Sequence, residues 1–252
     1  MRRDCGLEGP SNFRDLGGYQ AADGRIVRWR RIFRSDALRL TDADVAVLRD
    51  EIGLRLVIDL RTGFEFGHRD GGGNENYVRR NLAVGAQRVH LPMVDETRIQ
   101  RQASDERPIA ARSYLKMFER GGPALAEAFS LIAEPDNHPL VFHCAAGKDR
   151  TGILAAMLLG LLGVDDDTIV ADYALSQANM ARPGEDPGPT RRRAHPRPST
   201  AGQLRGAGGG VDRLRGGRPC HLRDLGGGRP AGRSRRRRRE APARAAVDRL
   251  TD

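Results

Sequence analysis

Apolar positions change rhythm repeatedly along the first 181 residues, and each change marks an element. A glycine-rich opening, Leu16-Gly17-Gly18-Tyr19, leads to Arg25-Ile26-Val27 and Ile32-Phe33-Arg34-Ser35, which predict short strands or a hairpin. Thr41 with Asp44 three residues on is a capping-box pattern, with Asp where Glu is usual. Val45, Leu48 and Ile52 follow at helical spacing, and Gly53 sits where that helix should stop. Leu54 to Leu60 is a mostly apolar run suited to a buried parallel strand. Residues 62–87 keep neither rhythm and predict irregular chain, with a loop at Gly71-Gly72-Gly73. Arg88 to Leu91 predicts another strand, ended by Pro92. Tyr114, Met117 and Phe118 mark one helix; Leu125, Phe129 and Ile132 mark another. Pro139 opens a strand, Leu140 to His143. A helix from about Thr151 to Leu162 is apolar almost all round and should be buried. A last helix, about Asp166 to Met180, carries Ile169, Tyr173 and Met180 on one side.

Strands and helices in this order predict an α/β fold, a mostly parallel central sheet flanked by helices on both faces. Ligands of such sheets bind beyond the carboxyl ends of the strands, which places residues 144–150 at the expected site.

Composition changes the picture only after residue 181. The net charge of +10 belongs to residues 182–252, where 19 Arg face 7 acidic residues; residues 1–181 carry a net −2. The 182–252 stretch is built from Arg, Gly, Pro and Ala, with no Ile, Phe, Tyr, Trp or Met to bury against the entropy of ordering the chain. It is expected to be a disordered tail appended to a 1–181 domain. Two origins account for it. One is a basic appendage, with the run Arg235 to Arg239 attracting nucleic acid or an anionic surface. The other is out-of-frame reading of a GC-rich gene, in keeping with 41 Arg against two Lys. No apolar run approaches the length of a membrane span, and no apolar stretch follows Met1-Arg2-Arg3 as in a secretory signal. Cys5, Cys144 and Cys220 lie too far apart for a disulfide scaffold or a four-cysteine zinc site, so a reducing, cytoplasmic setting is the expectation.

The chemistry concentrates in Val141-Phe142-His143-Cys144-Ala145-Ala146-Gly147-Lys148-Asp149-Arg150-Thr151-Gly152. Small residues at 145–147 allow a tight loop with inward N–H groups, and the helix that follows adds its N-terminal dipole. Ala145, Ala146, Gly147, Lys148, Asp149 and Arg150 would then line a phosphate cup, with the planar fork of Arg150 holding two oxygens. Cys144 at its base sits where positive potential favours thiolate over thiol. Such a thiolate can attack phosphorus in line with the departing oxygen, and loop and arginine carry the charge without a metal or cofactor. Cys5 and Cys220 are followed at the same spacing by Ser11 and Gly226, so only Cys144 fits. A nucleotide-binding phosphate loop fits poorly, because Asp149 follows Gly147-Lys148 where Ser or Thr is needed.

The string resembles the signature of cysteine-based protein tyrosine phosphatases, and its Gly-Lys-Asp-Arg-Thr-Gly form resembles the bacterial tyrosine/serine branch. Asn12-Phe13-Arg14-Asp15-Leu16-Gly17-Gly18-Tyr19, Phe33-Arg34-Ser35-Asp36, Ile58-Asp59-Leu60-Arg61 with Glu65, and Asp172-Tyr173-Ala174-Leu175-Ser176 are similar to further segments of that branch. The resemblance runs from about residue 10 to about 180. It implies a hydrolase acting on phosphotyrosine, with phosphoserine, phosphothreonine or phosphoinositides as further substrates. Cys144 would be the nucleophile and Arg150 the oxygen-holding cation. His143 would orient the loop, Thr151 would hydrogen-bond the sulfur, and Lys148 would add charge at the rim. Two residues compete for the general acid. Asp149 lies inside the loop and ranks first; Asp95, after the 88–91 strand, represents the many cysteine phosphatases whose acid sits on a separate loop. Asp59 is read as structural. Two other function classes remain: a silent phosphate-binding module using the same cup, and a nucleic-acid-binding protein resting on the tail. The second is disfavoured because the tail lacks interleaved aromatics for base stacking.

Overall fold

The structure, a computed structural model, describes residues 2–69, 75–94, 111–180 and 249–252. Five strands form one sheet: β1 (Arg14–Asp15), β2 (Ile32–Ser35), β3 (Leu56–Asp59), β4 (Gln87–His90) and β5 (Leu140–His143), in the order β1-β2-β5-β3-β4. β2, β5, β3 and β4 run parallel, and only β1 is antiparallel to its neighbour. β5 lies at the centre, so its C-terminal residue His143 opens directly onto the carboxyl edge of the sheet.

The alternation of side chains along the strands builds two cores. Ile32, Leu56, Ile58, Leu140 and Phe142 point to one face, where they meet α4 (Gly122–Ala133) through Leu125, Ala128 and Ile132. The same face receives α5 (Asp149–Leu161) through Leu154, Ala155 and Leu158. Phe33, Val57 and Val141 point the other way, against Val45 of α1 (Asp42–Ala46) and against Leu48 and Ile52 of its π-helical continuation, Val47–Ile52. The sheet is therefore covered on both faces, as its near-continuous apolar strands require. After α2 (Glu75–Ala83), α3 (Ala111–Arg120) packs with α5, and α6 (Asp166–Met180) packs along α5.

Local signals hold where a short-range partner exists. The Thr41–Asp44 capping box is formed in both directions, and Gly53 ends the first helix in the left-handed conformation at φ 68°. Two expectations are corrected. Residues 62–87 are not irregular throughout: a π-helical segment spans Glu65–Arg69 and α2 spans Glu75–Ala83. α2 buries only Tyr77 and Asn81, one of them polar, so it carried too narrow an apolar stripe to register as a helix. Residues 26–27 do not form a hairpin strand of the main sheet; Ile26 and Val27 make isolated bridges to Gln20 and Thr251. Thr251 lies in the stretch read as tail, and so do Leu250 and Asp252. Leu250 is buried in the larger core, and the main chain of 250–252 pairs with residues 26 and 28 at 2.8–2.9 Å. Residues 249–252 therefore belong with the domain, because they carry a leucine and a strand edge to bury. The loop at 71–73 and the rest of the tail lie outside the described residues.

Candidate active site

The loop between β5 and α5 is shaped by what its carbonyls bond. Ala37 N–H donates to Ala145 O at 3.1 Å. The Asn12 side-chain amide donates to Ala146 O at 3.2 Å and Gly147 O at 3.1 Å, and Arg34 Nη2 donates to Gly147 O at 2.8 Å. Three successive carbonyls are thus turned into the protein. Because each peptide unit is planar and trans, the N–H groups of Ala146, Gly147 and Lys148 face the opposite, concave side. Gly147 makes this possible: it has φ 65°, and a Cβ there would lie 2.6 Å from the Ser35 carbonyl and the Asp36 nitrogen. The first turn of α5 begins at once, adding its own free N–H groups and dipole. Cys144, the residue just before this loop, is buried to 2% exposure.

Arg150, one residue into α5, is buried and held by Glu65. Nη1 donates to Oε2 at 2.5 Å and Nη2 to Oε1 at 2.6 Å, with a longer bond from Nη1 to Leu60 O at 3.3 Å. Glu65 is fixed in turn by Thr62 N–H at 3.0 Å. Burial works against both charges. It is outweighed at Arg150 by Cys144 and Glu65, which hold the guanidinium firmly protonated, and at Glu65 by Arg150 and Thr62, which keep the carboxyl below its ordinary range. Glu65 takes the Nη1–Nη2 edge of the fork. The Nε–Nη2 edge, the other bidentate face of a guanidinium, donates to no group among the described residues.

His143 is fully buried, with Nδ1 3.3 Å from Cys144 O and Nε2 3.6 Å from Asp59 Oδ2. Burial pushes its pKa down to about 4 against the pull of Asp59, so the ring is neutral near pH 7. It braces the strand end rather than supplying charge. Asp59 is chelated by Arg61 at 2.6–3.1 Å, a structural pair. Thr151 Oγ1 is buried and makes no hydrogen bond among the described residues, to sulfur or otherwise. Lys148 Nζ donates to Gln177 on α6 at 2.9 Å and so leans along the rim. Asp149 is half-buried and accepts from Tyr114 of α3 at 2.5 Å and Tyr173 of α6 at 3.2 Å. Asp95 lies outside the described residues.

The loop's support is what sequence reasoning missed. Asn12, Arg14, Arg34, Asp36, Asp172 and Ser176 were visible only as parts of matching segments, without roles. Asp172 accepts from Arg14 Nε at 3.0 Å, from Arg34 Nη1 at 2.5 Å and from Tyr19 at 2.9 Å; Ser176 accepts from Arg14 Nη2 at 3.0 Å. Asp36 accepts from Asn12 N–H at 3.1 Å and so places the amide that turns the loop. Two guanidinium groups share one carboxylate, which leaves this buried trio with net positive charge behind the cup. Burial and the neighbouring Arg14 lower the Arg34 pKa to about 10, still a cation near pH 7. One signal was available: a charged Arg34 directly after the apolar Ile32-Phe33 of a strand demands a buried partner. Among the described residues, no group of three His, Cys, Asp or Glu is placed to hold a metal ion, and no helix is long and apolar enough to cross a membrane.

Comparison with known proteins gives the family. A model of the tyrosine phosphatase family matches residues 5–210. A tyrosine-protein phosphatase of Nostoc commune is 34% identical over 142 residues, covering 56% of this chain and 46% of the relative. The triple specificity protein phosphatase PtpB of Mycobacterium tuberculosis is 33% identical over 206 residues, covering 69% of each. The chain thus spans about half the length of the first relative and about two thirds of the second. The core catalytic domain of the PP-IP phosphatase Siw14 of S. cerevisiae, solved with citrate, aligns over 70% of this chain and 82% of that one, with 19% identity and a TM-score of 0.43.

Proposed function

Because the chain belongs to the tyrosine phosphatase family, we propose that it is a phosphomonoester hydrolase that removes phosphate from phosphotyrosine through a phosphocysteine intermediate. The observation that carries the reading is the conjunction at one loop. A buried cysteine adjoins a loop whose three carbonyls are bonded to the protein, leaving its N–H groups turned the other way, beside an arginine whose second fork edge is unused. Non-bridging phosphoryl oxygens bind the loop N–H groups and the Nε–Nη2 edge of Arg150. The Cys144 thiolate attacks phosphorus; the S–P bond forms as the ester P–O bond breaks, and the leaving oxygen takes a proton from a carboxylic acid. Water then attacks the phosphocysteine, giving a proton to the same carboxylate, and the P–S bond breaks to release phosphate and thiolate. The loop and Arg150 hold the equatorial charge in both steps, so the mechanism needs no metal. Asp149 serves as that acid, at the mouth of the loop on the first turn of α5. The Mycobacterium relative is named a triple specificity protein phosphatase, which supports a substrate range wider than phosphotyrosine alone.

The test is phosphate release from an aryl phosphate by the full chain in excess chelator, beside Cys144→Ser. Activity should persist in chelator and vanish in the variant, which should still bind inorganic phosphate. Turnover by Cys144→Ser, or a loss in chelator restored by added metal, would exclude this chemistry.

A further inference from the structure

Three helices meet at one carboxylate oxygen beside the loop. Tyr114 from α3 and Tyr173 from α6 both reach Asp149 Oδ1 on α5, and the two phenol oxygens are 2.9 Å apart, closing a triangle. Each phenol has a single proton. Tyr114 gives its proton to Oδ1 across 2.5 Å, and Tyr173 can give its own to Oδ1 or to Tyr114. In either arrangement Oδ1 accepts from Tyr114, and in one of them from Tyr173 as well, while Oδ2 has no hydrogen-bond partner among the described residues.

We propose that Tyr114 and Tyr173 are positioning residues that clamp Asp149 through Oδ1 and thereby make Oδ2 the oxygen that exchanges a proton with the leaving group and then with water. The proposal rests on the reading of Asp149 as general acid. A protonated Oδ1 would confront the O–H donor of Tyr114, so a proton on this carboxyl group belongs on Oδ2. The clamp also fixes the plane of the carboxyl group, which a side chain on the first turn of a helix otherwise rotates freely. Both phenols remain donors: burial, with the neighbouring carboxylate, pushes Tyr114 well above its ordinary range, and burial raises Tyr173 to about 12.

A second observation ties the clamp to the loop sequence. Asp149 and Gly152 lie three residues apart, on one face of α5. A Cβ on Gly152 would fall 2.7 Å from Tyr173 Cε2 and 2.8 Å from Cδ2. The ring of Tyr173 lies across the helix backbone because position 152 is glycine, and that is what carries its hydroxyl to Asp149.

The experiment measures kcat/KM, which reports transfer to Cys144, for aryl phosphates ranging from 2,4-dinitrophenyl phosphate to phenyl phosphate. Esters of acidic phenols need little help from an acid, while phenol, with a pKa of about 10, needs it most. Asp149→Asn should lose about 100-fold on phenyl phosphate and far less on the dinitrophenyl ester. Tyr114→Phe, which removes one oxygen and keeps the ring, should lose about tenfold on phenyl phosphate and under about twofold on the dinitrophenyl ester. Tyr173→Phe should change in the same sense, and the Tyr114→Phe/Asp149→Asn double variant should be no worse than Asp149→Asn alone. Thermal melting confirms that the phenylalanine variants are folded. Equal losses on every ester in both phenylalanine variants, or additive losses in the double variant, would assign the tyrosines a purely structural role and overturn the clamp while leaving Asp149 as the acid. A flat response of Asp149→Asn across the series would remove Asp149 from the acid role, and the clamp with it.

Discussion

Arg150 gives one edge of its planar group to Glu65 and leaves the other open, and this division makes Glu65 testable. The carboxylate takes the Nη1–Nη2 edge and so aims the Nε–Nη2 edge. Glu65→Gln replaces one acceptor oxygen with an amide that cannot accept, so the bidentate pairing is lost in a buried site. A hydrogen bond to a charged group contributes about 1.5–3 kcal/mol, which predicts a fall in kcat/KM of about 10- to 100-fold and weaker inhibition by inorganic phosphate. Unchanged phosphate inhibition would show that Glu65 does not orient the fork. His143 makes a separate prediction, for stability. Its pKa falls from 6.5 to about 4 on folding, so between these values the unfolded chain takes up a proton that the folded one refuses. Stability contributed by the neutral ring is complete above pH 6.5 and is lost as pH falls towards 4. Urea unfolding at pH 5 should give about 2 kcal/mol less stability than at pH 8 from this residue, a difference that His143→Gln removes. Glu65 and Asp172, whose pKa values are lowered, retain their contribution across that window and lose it only in stronger acid.

At the scale of elements, the cup is made by residues far away in sequence. Asn12 precedes β1 and Arg34 lies in β2, yet together they turn the carbonyls of a loop more than a hundred residues later. Asn12→Ala leaves the part-buried Ala146 carbonyl without a donor and the Gly147 carbonyl with Arg34 alone, at about 1–3 kcal/mol for the lost pairing. The domain should melt several degrees lower, and the loss in kcat/KM should exceed what melting explains at assay temperature. Normal kinetics with a lowered melting point would make Asn12 a fold residue only. This separation also decides what the sequence could show. The Thr41–Asp44 cap, the Gly53 stop, the alternating strands and the loop with Cys144 and Arg150 are all written within a few residues of where they act. The roles of Asn12, Arg14 and Asp172 depend on partners 130 or more residues away, and no local rhythm encodes them. α2 escaped because its inward face holds Tyr77 and Asn81, and the amide of Asn81 bonds Leu38 O instead of adding to an apolar stripe.

At the scale of the molecule, residues 249–252 change what the basic stretch means. Composition alone grouped them with the Arg-rich chain before them. In the structure Leu250 is 4% exposed, Arg28 N–H donates to its carbonyl at 2.8 Å, and Ile26 and Asp252 exchange main-chain bonds at 2.8 and 2.9 Å. Arg28 Nε donates to the Asp252 carboxylate at 2.6 Å, but that pair is solvent-exposed and adds little. Residues 249–252 therefore pack on the same core as the strands. Truncation after residue 182 removes the strand partner of residues 26–28 and uncovers the core around Val27, to which Leu250 contributes. Burial of one leucine contributes about 1.5–3 kcal/mol, so the truncated chain should melt about 3–10 °C lower while retaining its kcat/KM at low temperature. Addition of a peptide of sequence 240–252 should recover part of the loss. The same truncation removes the net +11 of residues 183–252, so any nucleic-acid affinity of the full chain should vanish with it and should weaken steeply with salt beforehand. An unchanged melting point would show that residues 249–252 add nothing to the core. Loss of catalysis at a temperature where the truncated domain is folded would instead give the stretch after residue 182 a part in turnover.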